Sequence, residues 1–423
     1  MNTNSKVTYS IKQVLFFLIA IINFSIYAQT LKKGIWRGVL HLDAKNNIEL
    51  PFNFEVNIKN SKTTLTIINA DERIVVDEVT LKKDSLIFKM PVFDTEFRTR
   101  VYSDSLVGVW LNYARKDKNI IPFKAYSNNK KRFNFTGFTD QKTNESVFFD
   151  GKWETTFSPE SNDSSKAIGV FNKNGNGIYT GTFLTETGDY RFLEGEQNGN
   201  KLYLSGFDGS HAFLFIAEYN SKEKFIIGDF YSGISWKENW KAIKNDSFNL
   251  KPAESITRLN PGFETIYFKF PNSKNNIISL SDERYRNKVV IVQLLGSWCP
   301  NCMDETAYLS KLYKQYKNQG LEVIGLAYER TTEFNKASAL VERLKKRFQV
   351  EYEILITGLS GKDKASESFP MLNKITAFPT TIIIDKQGKV NTIHAGFSGP
   401  ATGKAYKDFT IKTENSIEQL LKK

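Results

Sequence analysis

The chain has 423 residues, of which 25% are charged, and a formal net charge of +12. That length exceeds one ordinary core, so two or three domains are expected. The lysines are dispersed among acids and aromatics instead of gathered into one stripe, which argues for a solvated basic surface and against nucleic-acid binding.

Residues 1–28 carry Lys6 and Lys12, then the apolar stretch Val14 to Ala28, then a small residue before Gln29. This is the order of a secretory signal peptide. Cleavage after Ala28 would leave an exported protein, periplasmic or in the cell envelope. An uncleaved N-terminal membrane anchor is the alternative, weakened by Asn23 and Ser25 within the stretch. No cysteine follows it to take a lipid.

From Leu31 to about Asn249 short alternating segments are separated by Asn, Asp, Gly, Ser and Lys turns, as in Phe52–Ile58, Thr63–Ile68, Ile178–Leu184 and Ala212–Ala217. The pattern predicts an all-β half of sandwich or barrel type. Lys33-Gly34-Ile35-Trp36 is echoed by Asp150-Gly151-Lys152-Trp153, and Val107-Gly108-Val109-Trp110 by Ile227-Gly228-Asp229-Phe230. The similar offsets suggest two related β units, 29–140 and 141–249. Aromatics here, Trp236 and Trp240 among them, are expected to pack between strands. No constellation in this half names a chemistry.

Residues 250–262, with Pro252, Pro261 and Gly262, read as a linker. Beyond it, in 263–423, strand candidates Val289–Leu295, Glu322–Ala327, Tyr352–Ile356, Thr380–Asp385 and Val390–His394 alternate with helix candidates Asn301–Asn318, Glu333–Phe348 and Glu414–Leu421. That alternation predicts an α/β domain.

The only two cysteines, Cys299 and Cys302, lie between the first of those strands and the first helix. Two intervening residues let one helical turn bring the sulfurs together, and the helix N-terminus favours a thiolate on the first. Cys299 is therefore the expected nucleophile and Cys302, on the core-facing side, the resolving thiol. A structural disulfide closing so small a loop removes little unfolded-state entropy. A zinc site would need two more ligands from His41, His211, His394 or carboxylates, so no metal is expected.

The run Lys288 to Val292, Trp298-Cys299-Pro300-Asn301-Cys302, the later Phe378-Pro379-Thr380-Thr381, and Ile384-Asp385 through Gly388 resemble the thioredoxin-like thiol-disulfide oxidoreductases of the TlpA/ResA type. The resemblance covers about Gly262 to Lys423 and implies a thioredoxin fold. It implies that Pro379 is a cis-proline facing the dithiol, with Trp298, Pro300, Phe378, Pro379 and Thr380 forming a substrate groove. It also implies that Glu305 assists proton transfer, against the simpler role of a helix N-terminal acid. Gln293 stands where thioredoxin has a buried acid, Leu294-Leu295 replaces the common Phe-Trp, and Lys362 to Asn373 is a polar, charged insertion ahead of the Pro-Thr segment that is expected to reshape the substrate groove.

The resulting expectation is an enzyme that reduces or isomerises disulfides in client proteins without a cofactor, recycled by a membrane electron donor. Two rivals remain: a thiol peroxidase using Cys299, and a binding protein whose β half recognises a ligand or client.

Overall fold

The computed structural model describes residues 31–135 and 148–423, so the signal or anchor segment lies outside the described residues. Nine strands form the first sheet: β1 (Gly34–Asp43), β2 (Ile48–Lys59), β3 (Lys62–Asn69), β4 (Glu72–Val76), β5 (Glu78–Lys82), β6 (Ser85–Lys89), β7 (Thr95–Val101), β8 (Ser105–Asn112) and β9 (Ile120–Ser127). The order is β4-β3-β2-β1-β9-β8-β7-β6-β5. Because β4 and β5, at opposite ends of that order, are separated in sequence only by Asp77, the sheet must curl into a barrel.

The second sheet holds β10 (Gly151–Phe157), β11 (Ser165–Lys173), β12 (Ile178–Thr185), β13 (Gly188–Asp189), β14 (Leu193–Asn198), β15 (Lys201–Phe207), β16 (Ala212–Asn220), β17 (Phe225–Ser232) and β18 (Trp236–Lys244). Here the β11–β12 pairing completes a closed ring, with β13 a short spur on β12. The two barrels repeat each other in detail. Gly34 and Gly151 both have positive φ, 104° and 100°. Trp36 Nε1 donates to Lys32 O at 3.0 Å and Trp153 Nε1 to Phe149 O at 2.7 Å, each four residues back. First and last strands pair in the same register, Trp36 opposite Ser127 and Trp153 opposite Lys244. The extra residues that separate the offsets of the two sequence echoes lie between β10 and β17, and the shorter β17–β18 loop, 233–235 against 113–119 between β8 and β9, restores the first offset at the last strand.

The aromatics fill the barrels, with Phe88 and Phe97 stacked at 4.5 Å and Phe215 and Phe230 at 4.5 Å. Trp240 follows that pattern at 2% exposure, but Trp236 is 58% exposed. Phe207 of the second barrel enters the core of the first, stacking on Phe52 at 4.6 Å. Asn69 clasps its backbone on both sides, donating to Phe207 O at 2.8 Å and accepting from Phe207 N at 3.2 Å.

The C-terminal domain carries a hairpin of β19 (Lys269–Pro271) and β20 (Ile277–Ser279). Its main elements follow as β21 (Val289–Leu295), α1 (Pro300–Tyr316), β22 (Leu321–Ala327), α2 (Phe334–Phe348), β23 (Glu353–Ile356), α3 (Gly361–Glu367), β24 (Thr380–Ile384), β25 (Val390–Ala395) and α4 (Lys404–Lys422). The sheet order β23-β22-β21-β24-β25 puts the wholly buried β21 at the centre, parallel to β22 and antiparallel to β24. Among the described residues no helix is long and apolar enough to cross a membrane.

Three details depart from the sequence reading. Helix α4 starts at Lys404 and not Glu414: Gly403 offers no side-chain cap, and Tyr406 and Phe409 secure the polar first half by packing on Tyr308. The expected linker is pinned, since Arg258 N, Asn260 N and Thr257 Oγ1 donate to Asn373, Met371 and Lys374. The polar stretch Lys362 to Asn373 contains α3 and receives that linker, and its residues are not among those lining the cleft at the dithiol.

Gly34→Ala is expected to lower stability by about 1–3 kcal/mol through its φ alone, because an added methyl meets nothing within 4 Å. A lowered urea midpoint of the full chain checks it.

Candidate functional site

β21 ends at Leu295 and the chain turns through Gly296-Ser297-Trp298 into α1. The turn is braced from behind: buried Glu329 accepts from Ser297 N at 2.9 Å and Ser297 Oγ at 2.8 Å, and Trp298 Nε1 donates to Tyr328 O at 3.0 Å. Cys299 is the N-cap of α1, and its Sγ accepts from Cys302 N at 3.3 Å. Across from it, Phe378 O accepts from Cys299 Sγ at 3.4 Å, and the Phe378-Pro379 peptide bond is cis. Both cysteines are free thiols. Cys299 is 7% exposed and Cys302 fully buried. Burial, then the hydrogen bond to Cys299, pushes the Cys302 thiol well above its usual range.

Glu305 lies one turn past Cys302, fully buried behind the dithiol. Its carboxylate accepts from Gln293 Nε2 at 2.8 Å and Thr381 Oγ1 at 2.7 Å. Thr306 Oγ1 donates in turn to Gln293 Oε1 at 3.2 Å. Burial raises the Glu305 pKa to about 7, with the bonds from Thr381 and Gln293 opposing it. Because α1 begins at Pro300, Asp304 and Glu305 occupy its second turn and not the first, and Glu305 is not a solvated end-of-helix acid. Glu305 also lines a cavity of about 60 Å³ whose wall includes Glu254, His394 and Lys412. A cavity of that size has room for water.

Trp298, Cys299, Pro300 and Phe378 line one cleft of about 880 Å³, whose facing wall belongs to the barrels. Pro379 sits at its edge of the sheet, its carbonyl accepting from Gly396 N at 2.8 Å. Thr380 does not belong with them: it is fully buried, its hydroxyl donating to Ala377 O at 2.8 Å.

Nothing in the sequence marked Arg191. Its side chain is buried where the two barrels meet α1. Arg191 Nη2 pairs with Glu72 of β4, Nε lies 3.5 Å from Asp208, and Nη1 lies 3.1 Å from Asp304 of α1 and donates to Pro300 O at 2.7 Å. One guanidinium thus faces three carboxylates. Burial lifts Asp304 to about 8, with Asp189, Glu72 and Asp208 adding to the lift and Arg191 opposing it. Burial also pushes Asp208 upward, but His211 and Arg191 together bring it down to about 2. Beside this cluster Asp189 Oδ2 accepts from Gly399 N at 2.5 Å, and Asn301 Nδ2 donates to Asp189 O at 3.3 Å. The approach is so close that a methyl on Gly396, where φ is +80°, would lie 2.6 Å from the Thr187 backbone.

A thiol at a helix N-cap, a buried second thiol one turn on, a cis-proline loop opposite and a carboxylate behind form the apparatus of dithiol exchange. The AhpC/TSA family profile matches residues 261–393. The thiol-disulfide oxidoreductase ResA of Geobacillus kaustophilus is 31% identical over 154 residues, which are 36% of this chain and 77% of the relative. The chain belongs to the ResA family of thiol-disulfide oxidoreductases. A second ResA, from Bacillus thuringiensis subsp. konkukian, is 29% identical over 133 residues, covering 31% of this chain and 68% of the relative. A solved thiol-disulfide oxidoreductase from Bacteroides fragilis aligns at 22% identity and a TM-score of 0.27, over 35% of this chain and 99% of its own. The AhpC/TSA profile match lies wholly C-terminal to the two barrels.

Arg191→Met should leave Glu72, Asp208 and Asp304 facing one another without a cation, at about 3–5 kcal/mol. A fall in thermal midpoint that Asp304→Asn partly reverses is the expected result.

Proposed function

We propose that this ResA-family enzyme is exported and reduces disulfides in client proteins, with Cys299 attacking and Cys302 resolving. The observation that carries the reading is Cys299 held at the α1 N-cap between Cys302 N and Phe378 O, with its sulfur toward the cleft. Trp298, Pro300, Phe378 and Pro379 would hold the client segment, while Thr380 would act only through the strand it starts. The catalytic part would be 263–423, and 29–140 and 141–249 two β units of duplicated origin that shape access to it.

The exchange balances in two steps. The Cys299 thiolate attacks one client sulfur; the client S–S bond breaks and its second sulfur leaves as a thiolate that takes up a proton. Glu305 then accepts the Cys302 proton and the Cys302 thiolate attacks Cys299 Sγ; the mixed disulfide breaks, the client's first sulfur leaves as a thiolate that takes up a proton, and the dithiol, now the Cys299–Cys302 disulfide, has given two electrons to the client. Water in the cavity shared by Glu305 and His394 gives the proton a way out. Burial of Cys302 disfavours its thiolate and so leaves Cys299 as the attacking sulfur. A dithiol or membrane electron donor must return the electrons. The peroxidase reading gains no support from this geometry, which pairs Cys299 with a resolving thiol one turn away.

Cys302→Ser is expected to trap a client on Cys299 as a mixed disulfide, seen by mass spectrometry after acid quenching; Cys299→Ser should trap none. The reverse pattern would reassign the nucleophile.

Glu305 binds its proton more tightly in the folded than in the unfolded chain, so its contribution to stability is full below the usual carboxylate range and lost as pH rises through about 7. Glu305→Gln should therefore flatten the stability profile between those limits and remove a step near neutral pH from the exchange rate.

A further inference from the structure

Two arginines face the dithiol cleft from opposite sides. Arg115, in the β8–β9 loop of the first barrel, and Arg330, just past β22, both line the cleft that contains Cys299. The Arg330 guanidinium lies over the Trp298 ring at 4.7 Å, and its charge bears on Cys299. Arg115 Nη1 donates to Ser235 Oγ.

What separates these two from the other basic side chains of the cleft is pairing. Lys166 is neutralised by Glu154 at 2.8 Å, Lys251 lies 3.7 Å from Glu186, and His211 is 3.2 Å from Asp208. Among the described residues no carboxylate lies within 4 Å of either arginine, although the chain forms many other ion pairs. The cleft acids are engaged elsewhere: Asp189 accepts from the backbone of Arg191 and Gly399, and Glu238 accepts from Ser158 Oγ at 2.8 Å. Arg115 is half-buried and Arg330 exposed at the cleft mouth; burial lowers the pKa of both, and the Arg115 charge lowers Arg330 further while Cys299 and Glu329 oppose it. Two like charges that line one cleft without a carboxylate partner suit an anion that joins them.

The cleft also offers apolar surface to the rest of such a ligand. Trp298 and Phe378 stand edge to face at 5.9 Å on one wall, and Trp236, Phe213 and Phe230 line the other. Trp236 is the exposed exception among the barrel tryptophans. An aromatic-walled cleft with a reactive sulfur and two free guanidinium groups suits an extended peptide segment with a carboxylate close to its disulfide.

We infer that Arg115 and Arg330 form an anion subsite of the dithiol cleft, selecting client disulfides whose flanking residues carry a carboxylate. The inference rests on the proposed disulfide exchange and gives the barrels a part in choosing the client.

The test uses the full chain and three model peptides with the same intramolecular disulfide, flanked by Asp, Asn or Lys, with oxidised glutathione as a small carboxylate-bearing disulfide. Reduction of the Asn peptide reports exchange itself, so its absence would sink the proposed function and not the subsite alone. With exchange present, kcat/KM for the Asp peptide should exceed that for the Lys peptide by about five- to tenfold at low ionic strength. The ratio should shrink as salt is raised. Arg115→Gln and Arg330→Gln should each move the Asp-to-Lys ratio toward one, whatever the absolute rates, and Arg115→Lys should retain most of it. Preference for the Asp peptide over glutathione assigns the subsite to a polypeptide client; the opposite preference overturns that assignment in favour of a small disulfide. Equal rates for Asp and Lys peptides, or a preference that survives Arg115→Gln and Arg330→Gln together, would overturn the subsite.

Discussion

The arrangement of this molecule depends on one buried cation. Arg191 joins Glu72 of the first barrel, Asp208 of the second and Asp304 of α1, and also holds the Pro300 carbonyl between the two cysteines. A guanidinium can satisfy several acceptors at once because its five donors are fixed in one plane. Removing it from water is costly, so the cluster stabilises the assembly only while all its partners are present. The barrels are thereby tied to the helix that carries the chemistry.

That tie changes what a dithiol of this family presents to a client. The sulfur of Cys299 opens into a cleft whose far wall is the second barrel, and the barrels are themselves locked together by Phe207 and Asn69. Behind the sulfurs, Gln293, Thr306 and Thr381 hold Glu305 in place while burial keeps its proton available near neutral pH. Gln293, at the position where thioredoxin has a buried acid, donates instead to the buried acid Glu305 on α1.

Legibility in the sequence followed how local each signal was. Cys299, Cys302 and the Phe378-Pro379 segment were readable because spacing and neighbouring residues fix their chemistry. The β-rich half was readable from alternation, and its repetition from Gly34-Ile35-Trp36 and Gly151-Lys152-Trp153, since each tryptophan bonds four residues back. Arg191, Glu329 and Asp189 were invisible because their partners lie far away in sequence. Thr380 was misplaced for a related reason: its position beside Pro379 is local, but which way its hydroxyl turns is set by Ala377. Trp236 looked like Trp240 and shares its face of β18, but it begins the strand, beyond the last pair with β10 at Phe157 and Trp240, and so stays exposed.

The most direct measurement is the reduction potential of the Cys299–Cys302 pair in the full-length protein, from equilibration in defined thiol-disulfide buffers and mass counting of alkylated cysteines. The proposed reductase should lie below about −230 mV. A value near −120 mV would contradict it and make the protein an oxidant.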